Sequence, residues 1–337
     1  MRIRRIIESL LAIALSFPLV AASAAGEDLP KLGADAKRVS ISGLSSGAFM
    51  AVQYDVAFSA STIGVGVVAG GPYNCSYVNM GGITTCMQGS PLGAASYNAA
   101  IGFQTLGKID PIAHVAKQKV YLFSGTSDSV VKQSVMDAVR DFYQMLKVPA
   151  ASLIYVNTTD AGHAFISQDF GNGCNTNQAP YVNECSVGGA LYDQPAAILG
   201  HIYGTLKPKA NALSAQPIAF DQTPYAGPTS SMASTGYLYV PAACRGAGAK
   251  CAVHVVFHGC LQSAESVGDA VYAKLGYNEW ADTNGIIVLY PQVNKNVVPV
   301  NPNGCWDWWG YSGLDFQTRS GTQIAAIHAM VKTLTSQ

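Results

Sequence analysis

The stretch Val39-Ser40-Ile41-Ser42-Gly43-Leu44-Ser45-Ser46-Gly47-Ala48-Phe49-Met50-Ala51 leaves little freedom to the fold around it. Apolar and polar residues alternate up to Leu44, as in a β-strand, and an apolar helix-forming run follows directly. Between them lies a Gly-x-Ser-x-Gly turn with Ser45 at its tip. A strand packed this tightly against the helix after it has no room for a Cβ at Gly43 or Gly47, and the strained turn pushes the serine hydroxyl out of the sheet. In a chain with 34 glycines the pattern also arises by chance, so the remaining segments must supply its partners.

The compartment is set by the first residues and by the cysteines. Met1-Arg2-Ile3-Arg4-Arg5, an apolar run from Ile6 to Val20, and Ala21-Ala22-Ser23-Ala24-Ala25 read as a secretory signal peptide over residues 1–25, cut near Ala24 or Ala25. A membrane anchor fits less well, because the apolar core is short and broken by Pro18. Removing these residues takes away three arginines and one glutamate, leaving 17 basic and 19 acidic side chains and a charge near −2. That balance points to no nucleic-acid partner and no anionic-membrane partner. The remaining 312 residues, 26–337, fit one α/β domain with no appended module. All eight cysteines fall in the exported part, which points to four disulfides in an oxidising compartment, extracellular or periplasmic. Of 105 possible connectivities, proximity favours Cys75 with Cys86, Cys174 with Cys185 and Cys244 with Cys251, leaving Cys260 for Cys305. A metal site is the weaker reading, since no C-x-x-C pair occurs.

Taken in order, a helix over residues 46–58 leads to the uninterrupted apolar run 62–69, the mark of a strand buried on both faces of a parallel sheet. The Gly- and Ser-rich segment 70–101 shows little periodicity and reads as a disulfide-held loop. A strand at 119–123 runs into a loop ending at Asp128, a helix covers 130–146, and a strand at 152–157 ends in a loop carrying His163. Asp128 and His163 thus follow the carboxyl ends of strands, the side on which Ser45 lies and on which ligands bind in open α/β sheets. Residues 166–230 are irregular apart from a helix at 192–206. Strands resume at 236–241, 252–257 and 286–291, and the aromatic cluster 305–311 precedes a final helix over 315–334. No internal repeat is present.

The order of these pieces is informative. In α/β-hydrolases a strand ending in a His-Gly turn precedes the nucleophile strand. Here Phe257-His258-Gly259-Cys260 and the helix after it stand at the carboxyl end, and joining tail to head would feed that helix into residues 33–45. The expectation is a circularly permuted α/β-hydrolase fold, a single domain with a mostly parallel central sheet. Gly43-Leu44-Ser45-Ser46-Gly47, Ser124-Gly125-Thr126-Ser127-Asp128, Ala161-Gly162-His163-Ala164, Tyr192-Asp193-Gln194, Phe257-His258-Gly259-Cys260-Leu261-Gln262-Ser263, Gly276-Tyr277-Asn278-Glu279-Trp280-Ala281-Asp282, Leu289-Tyr290-Pro291-Gln292 and the tryptophan cluster together resemble poly(3-hydroxybutyrate) depolymerases with a permuted catalytic domain. The resemblance covers most of residues 35–337. It implies a secreted serine esterase acting on a hydrophobic polyester or its oligomers. Many members carry a linker and a substrate-binding domain after the catalytic one, and neither is expected from these residues.

On that resemblance Ser45 is the nucleophile, His163 the general base and Asp128 the residue that orients it, with Asp160 a rival for the last role. His114, His201 and His254 read as surface, helix and strand-interior residues. The backbone N–H groups of Ser46 and Cys260 are the expected oxyanion donors, and a Cys260–Cys305 bridge would pin the donor turn to the aromatic cluster. Trp309, with Trp306 and Trp308, is the candidate apolar wall for substrate, although one or two of the three belong in the core. Tyr73 is a weaker candidate of the same kind. No metal or other cofactor enters this chemistry. The alternatives are a secreted esterase for small or polysaccharide-linked feruloyl or acetyl esters, and a silent binding protein, against which an intact Ser45, Asp128 and His163 argue.

Overall fold

The computed structural model describes residues 26–246 and 248–337; the expected signal peptide lies outside them. Eight strands form the central sheet: β1 Val39–Leu44, β2 Thr62–Val68, β3 Lys119–Phe123, β4 Leu153–Val156, β5 Ile218–Asp221, β6 Thr235–Tyr239, β7 Ala252–Phe257 and β8 Ile286–Tyr290. Their spatial order is β5-β6-β8-β7-β1-β2-β3-β4. The six from β8 to β4 run parallel, and β5 and β6 join antiparallel at one edge. The nucleophile strand β1 therefore sits mid-sheet against β7, with Val39 opposite Val253 and Gly43 opposite Phe257.

The helices are α1 Ser46–Ala57, α2 Cys75–Val78, α3 Gly82–Gln88, α4 Gly93–Thr105, α5 Gln133–Met145, α6 Gln194–Tyr203, α7 Ala264–Val267, α8 Tyr277–Asn284 and α9 Thr322–Thr335. One face of the sheet packs Val39, Ile41, Val253 and Val255 against α1 and α9. The other packs Val256, Ile286 and Val288 against Ile198 and Leu199 of α6 and Tyr277 and Ala281 of α8. Apolar surface on both faces is what a parallel sheet with crossover helices demands. No helix among the described residues is long and apolar enough to cross a membrane.

The alternation in β1 does not mean one wet face, because every residue of the strand is buried. Ser40 and Ser42 instead face a closed polar network. The Ser40 hydroxyl lies 2.6 Å from His254 Nδ1 and 2.6 Å from the Tyr203 hydroxyl, and the Ser42 hydroxyl lies 2.8 Å from His254 Nε2 and 2.8 Å from the Tyr277 hydroxyl. Burial pushes His254 down to about 3, so the ring is neutral and can serve one serine as donor and the other as acceptor.

Segment 70–101, expected to be a loop, contains α2, α3 and most of α4 instead. Helices of four and seven residues are too short to show a 3.6-residue period. The longer α4 buries only Gly93, Ser96 and Ala100, small residues that carry no hydrophobic signal. The last helix begins at Thr322, not near 315, and residues 315–321 form turns tied down by Lys108 on Asp315 at 3.1 Å and Arg319 on Asp110 at 2.9 Å. The end of α9 meets the chain leading into β1. Leu32 N–H and Ala34 N–H donate to Leu334 O at 3.3 and 3.1 Å, and Gly33 N–H donates to Ser336 O at 2.8 Å.

Within α1, Asp55 is fully buried. It accepts a hydrogen bond from the Tyr143 hydroxyl at 3.0 Å, yet Asp55 Oδ1 and the neighbouring Gln118 Oε1 are acceptors without a donor. Desolvation, opposed in part by Tyr143 and Gln118, pushes this carboxyl up from 3.8 to about 7. The folded protein thus holds a proton that the unfolded chain releases, so the stability due to this group is full below pH 3.8 and is lost as pH rises to about 7. Asp55→Asn should flatten the fall in melting temperature between pH 4 and pH 8 and melt above the parent at pH 8. Parallel pH profiles of parent and variant would contradict a buried, protonated Asp55.

Candidate active site

At the carboxyl end of β1 the chain turns through Ser45 at φ 57° and ψ −123°, a conformation that a non-glycine residue adopts only when its surroundings enforce it. They do so on both sides. A Cβ on Gly43 would run into the Gly47 carbonyl, and one on Gly47 would run into the carbonyls of Phe257 and His258. Helix α1 therefore starts in direct backbone contact with the end of β7. Ser45 N–H donates to Val68 O at 3.0 Å, which ties the turn to β2 as well.

Asp128 and His163 come from the loops after β3 and β4, at the same edge of the sheet as Ser45. The two side chains meet, with His163 Nδ1 2.8 Å from Asp128 Oδ2 and both groups almost wholly buried. The other carboxylate oxygen, Oδ1, accepts from the backbone N–H groups of Val130 and Val131 at 2.8 and 2.9 Å. Asp128 is thereby fixed in orientation. As a carboxylate it accepts from His163 Nδ1–H, which leaves Nε2 as the acceptor. Asp160, the rival, takes the Ser127 hydroxyl instead and braces the loop.

A residue that sequence reasoning missed holds the two loops together. Asn177 Oδ1 accepts from His163 N–H at 2.7 Å and from Ser129 N–H at 3.1 Å, while its Nδ2 donates to Ser127 O at 3.0 Å. It stands in the irregular stretch after His163, where nothing in composition distinguishes it from other asparagines.

Ser45 and Ser46 open onto a cleft of about 200 Å³ lined by Phe49, Ile83, Met87, Val131, Trp308 and Trp309, with Cys260, Asn303 and Cys305 closing one side. Trp308 stacks on Phe49 at 4.1 Å and Trp309 stands edge-on to Trp308 at 5.4 Å. Trp306 does not line the cleft. It is fully buried between Phe257 at 5.0 Å and His258 at 5.5 Å, where its backbone N–H donates to Ser46 Oγ at 3.2 Å. Tyr73 is likewise in the core, because its hydroxyl finds an acceptor there, Gln317 O at 2.9 Å, and its ring stacks on Phe142. The helix α3, with Ile83 and Met87, forms the wall that no sequence motif announced.

Four disulfides join Cys75 to Cys86, Cys174 to Cys185, Cys244 to Cys251 and Cys260 to Cys305. The last links the turn after β7 to the tryptophan loop. That loop is wound around a single buried carboxylate. Asp307 Oδ1 accepts from the N–H groups of Trp309, Gly310 and Tyr311 at 3.1, 2.7 and 3.1 Å, and Oδ2 accepts from Ser312 N–H at 2.8 Å and Ser312 Oγ–H at 2.6 Å.

Fold and site together define an α/β protein with a mostly parallel sheet whose carboxyl edge gathers a strained serine and an aspartate–histidine pair. No protein-family model matches the chain. It is 37% identical over 339 residues to a polyhydroxybutyrate depolymerase of Talaromyces funiculosus, covering 96% of this chain and 97% of that protein. It is 44% identical over 319 residues to a poly(3-hydroxybutyrate) depolymerase of Delftia acidovorans, covering 93% of this chain; the chain spans only 62% of that relative's length. The crystal structure of PHB depolymerase from Penicillium funiculosum superimposes with a TM-score of 0.84 at 36% identity, covering 92% of this chain and all of that one. The same figures hold for a PHB depolymerase with one serine changed to alanine, complexed with an R3HB trimer. The chain belongs to the poly(3-hydroxybutyrate) depolymerase family.

Replacing Asp307 by alanine should leave five donors without their acceptor and destabilise the protein by about 2–4 kcal/mol. Urea unfolding followed by tryptophan fluorescence tests this. A loss below about 0.5 kcal/mol, within the range of an ordinary surface substitution, would show that the loop does not depend on this carboxylate.

Proposed function

We propose that this protein is a secreted serine esterase that hydrolyses poly(3-hydroxybutyrate) or its oligomers to 3-hydroxybutyrate units through an acyl-enzyme on Ser45. The observation that carries the reading is the Asp128–His163 pair, set at the same sheet edge as a strained Ser45 that opens onto an apolar cleft. The relative complexed with an R3HB trimer supports an ester oligomer as ligand.

In this mechanism Ser45 Oγ attacks the ester carbonyl while His163 Nε2 takes its proton. The proton then passes to the departing hydroxyl of the next unit, and water, activated by the same imidazole, releases the acyl group. Asp128 keeps the proton of neutral His163 on Nδ1 and stabilises the imidazolium that forms. Negative charge on the tetrahedral oxygen is met by the N–H groups of Ser46, at the start of α1, and Cys260. Trp308 and Trp309 offer apolar surface to the methyl and methylene groups of the chain.

The fold is a circularly permuted α/β-hydrolase in a single domain over residues 26–337, supported by the hydrogen bonds that join the end of α9 to residues 32–34. Four disulfides support an oxidising, extracytoplasmic compartment.

Incubation with amorphous and with crystalline poly(3-hydroxybutyrate), with assay of released 3-hydroxybutyrate, tests the substrate. Release from either form is expected, Ser45→Ala should lower it by about 10⁴-fold or more, and EDTA should leave it unchanged. Cleavage of soluble feruloyl or acetyl esters with no release from either polymer would replace this reading with a small-ester or polysaccharide esterase.

A further inference from the structure

The histidine before the proposed donor turn has hydrogen bonds that the mechanism above does not use. His258 is wholly buried at the end of β7. Its Nδ1 lies 2.7 Å from the carbonyl oxygen of Gly259, and its Nε2 lies 3.1 Å from the backbone nitrogen of Val293. A backbone N–H can only donate and a carbonyl can only accept, so the tautomer is dictated. Nε2 is the bare acceptor for Val293 N–H, and Nδ1 carries the proton that goes to Gly259 O. Burial pushes the imidazole down to about 4, so it is neutral and keeps this tautomer at ordinary pH.

The consequence follows from the planarity of the peptide bond. Gly259 C=O and Cys260 N–H belong to one rigid unit in which they point in opposite directions. Holding the oxygen against His258 turns the N–H the other way. Cys260 lines the cleft beside Ser45, and a Cβ on Gly259 would stand 3.4 Å from that of Ser45. Among the described residues, Cys260 N–H has no acceptor, while its neighbours are engaged: Gly259 N–H donates to Gln262 Oε1 at 2.7 Å and Leu261 N–H to Asn303 O at 2.7 Å. The unit also follows a glycine, the residue that least resists rotation of the adjacent peptide. Without the 2.7 Å bond from His258 only the longer 3.3 Å bond from Gln262 N–H would hold that oxygen, and a flip of the unit would present a carbonyl oxygen, not a donor, to the developing oxyanion.

We infer that His258 is a positioning residue for the reaction: through Nδ1–H it locks the Gly259–Cys260 peptide in the orientation that aims Cys260 N–H at the substrate oxygen, with Val293 N–H enforcing the required tautomer. The inference rests on the reading of Ser45 as nucleophile and Cys260 N–H as oxyanion donor. Gln262 supports the same turn by a different route. Its Oε1 holds Gly259 N–H, its Nε2 reaches Pro180 O and Tyr181 O, and its backbone N–H makes a longer bond of 3.3 Å to Gly259 O, so it closes the turn, while the shorter 2.7 Å bond from His258 is the side-chain hold on the direction of that peptide.

Two isosteric variants separate this role from simple packing. Asparagine places an amide N–H near the site of Nδ1 and keeps the bond to Gly259 O. Glutamine places its polar atoms near the site of Nε2, serving Val293 and abandoning Gly259. With a soluble p-nitrophenyl ester, His258→Gln should lower kcat about 100- to 1,000-fold with KM nearly unchanged, the signature of a lost oxyanion donor, and should weaken a trifluoromethyl ketone inhibitor by a similar factor. His258→Asn should recover at least about tenfold of that loss, whatever the order of the two melting temperatures. Equal kcat in the two folded variants, or a lower kcat in His258→Asn than in His258→Gln, would overturn the inference. Labelling of wild-type Ser45 by a phosphonate is run alongside. Labelling with unchanged ketone affinity in His258→Gln overturns the role of His258 alone, and failure to label Ser45 overturns the serine mechanism with it.

Discussion

Backbone touches backbone where α1 begins, and the rest of the site depends on that contact. Gly47 lies against the last carbonyls of β7, closer than any side chain would allow. One consequence is the strain at Ser45, which β1, β2 and β7 hold from three sides. Another is proximity: the first turn of a helix, with its unpaired N–H groups, is brought beside the turn that follows β7. The two proposed donors for the oxyanion are thus supplied by different parts of the chain and set side by side by a glycine. A side chain at position 47 would separate them before it altered any group that reacts.

Beneath this contact the sheet is polar where a parallel sheet is ordinarily greasy. The network of Ser40, Ser42, His254, Tyr203 and Tyr277 ties β1 to β7 on one face and to α6 and α8 beyond it. Directional bonds of this kind fix register more strictly than methyl groups do, and a one-residue slip of β1 would turn both serines away from His254. Above the sheet, Asn177 joins the loops of Asp128 and His163, and Asp307 winds the tryptophan loop. Each of these polar centres holds the carboxyl edge of the sheet in place without facing the substrate.

Much of this was legible in the sequence, for reasons that differ by element. Strands β2 and β8 announce themselves because burial on both faces leaves a nearly continuous apolar run, and β7 does so with His254 as its one polar residue. The Ser45 turn is legible because its steric rule is local. The alternation in β1 identifies a strand but says nothing of its surroundings, since a serine facing water and a serine facing a buried histidine look alike. The helices after β2 were invisible: two are too short to show a period, and α4 packs through glycine, serine and alanine. Among the aromatics, the indole of Trp306 is inward because Phe257 and His258 pack around it, and the phenol of Tyr73 because Gln317 O accepts its hydroxyl there. That choice is made by the tertiary surroundings of each ring. Asn177 and Asp307 act through backbone groups of loops, and loop geometry leaves no pattern in composition.

The pairing of β1 with β7 also governs the order in which the molecule can be assembled. Val39 is opposite Val253, so the central strand has β2 early but waits for the last third of the chain before its other neighbour exists. The links Cys75–Cys86 and Cys174–Cys185, each spanning 11 residues, can close on short segments as they emerge. The Cys260–Cys305 link and the seam between α9 and residues 32–34 cannot close until synthesis is nearly complete. A nascent fragment of this protein therefore holds the serine turn against β2 alone, without the carbonyls at the end of β7 that meet Gly47 in the complete fold.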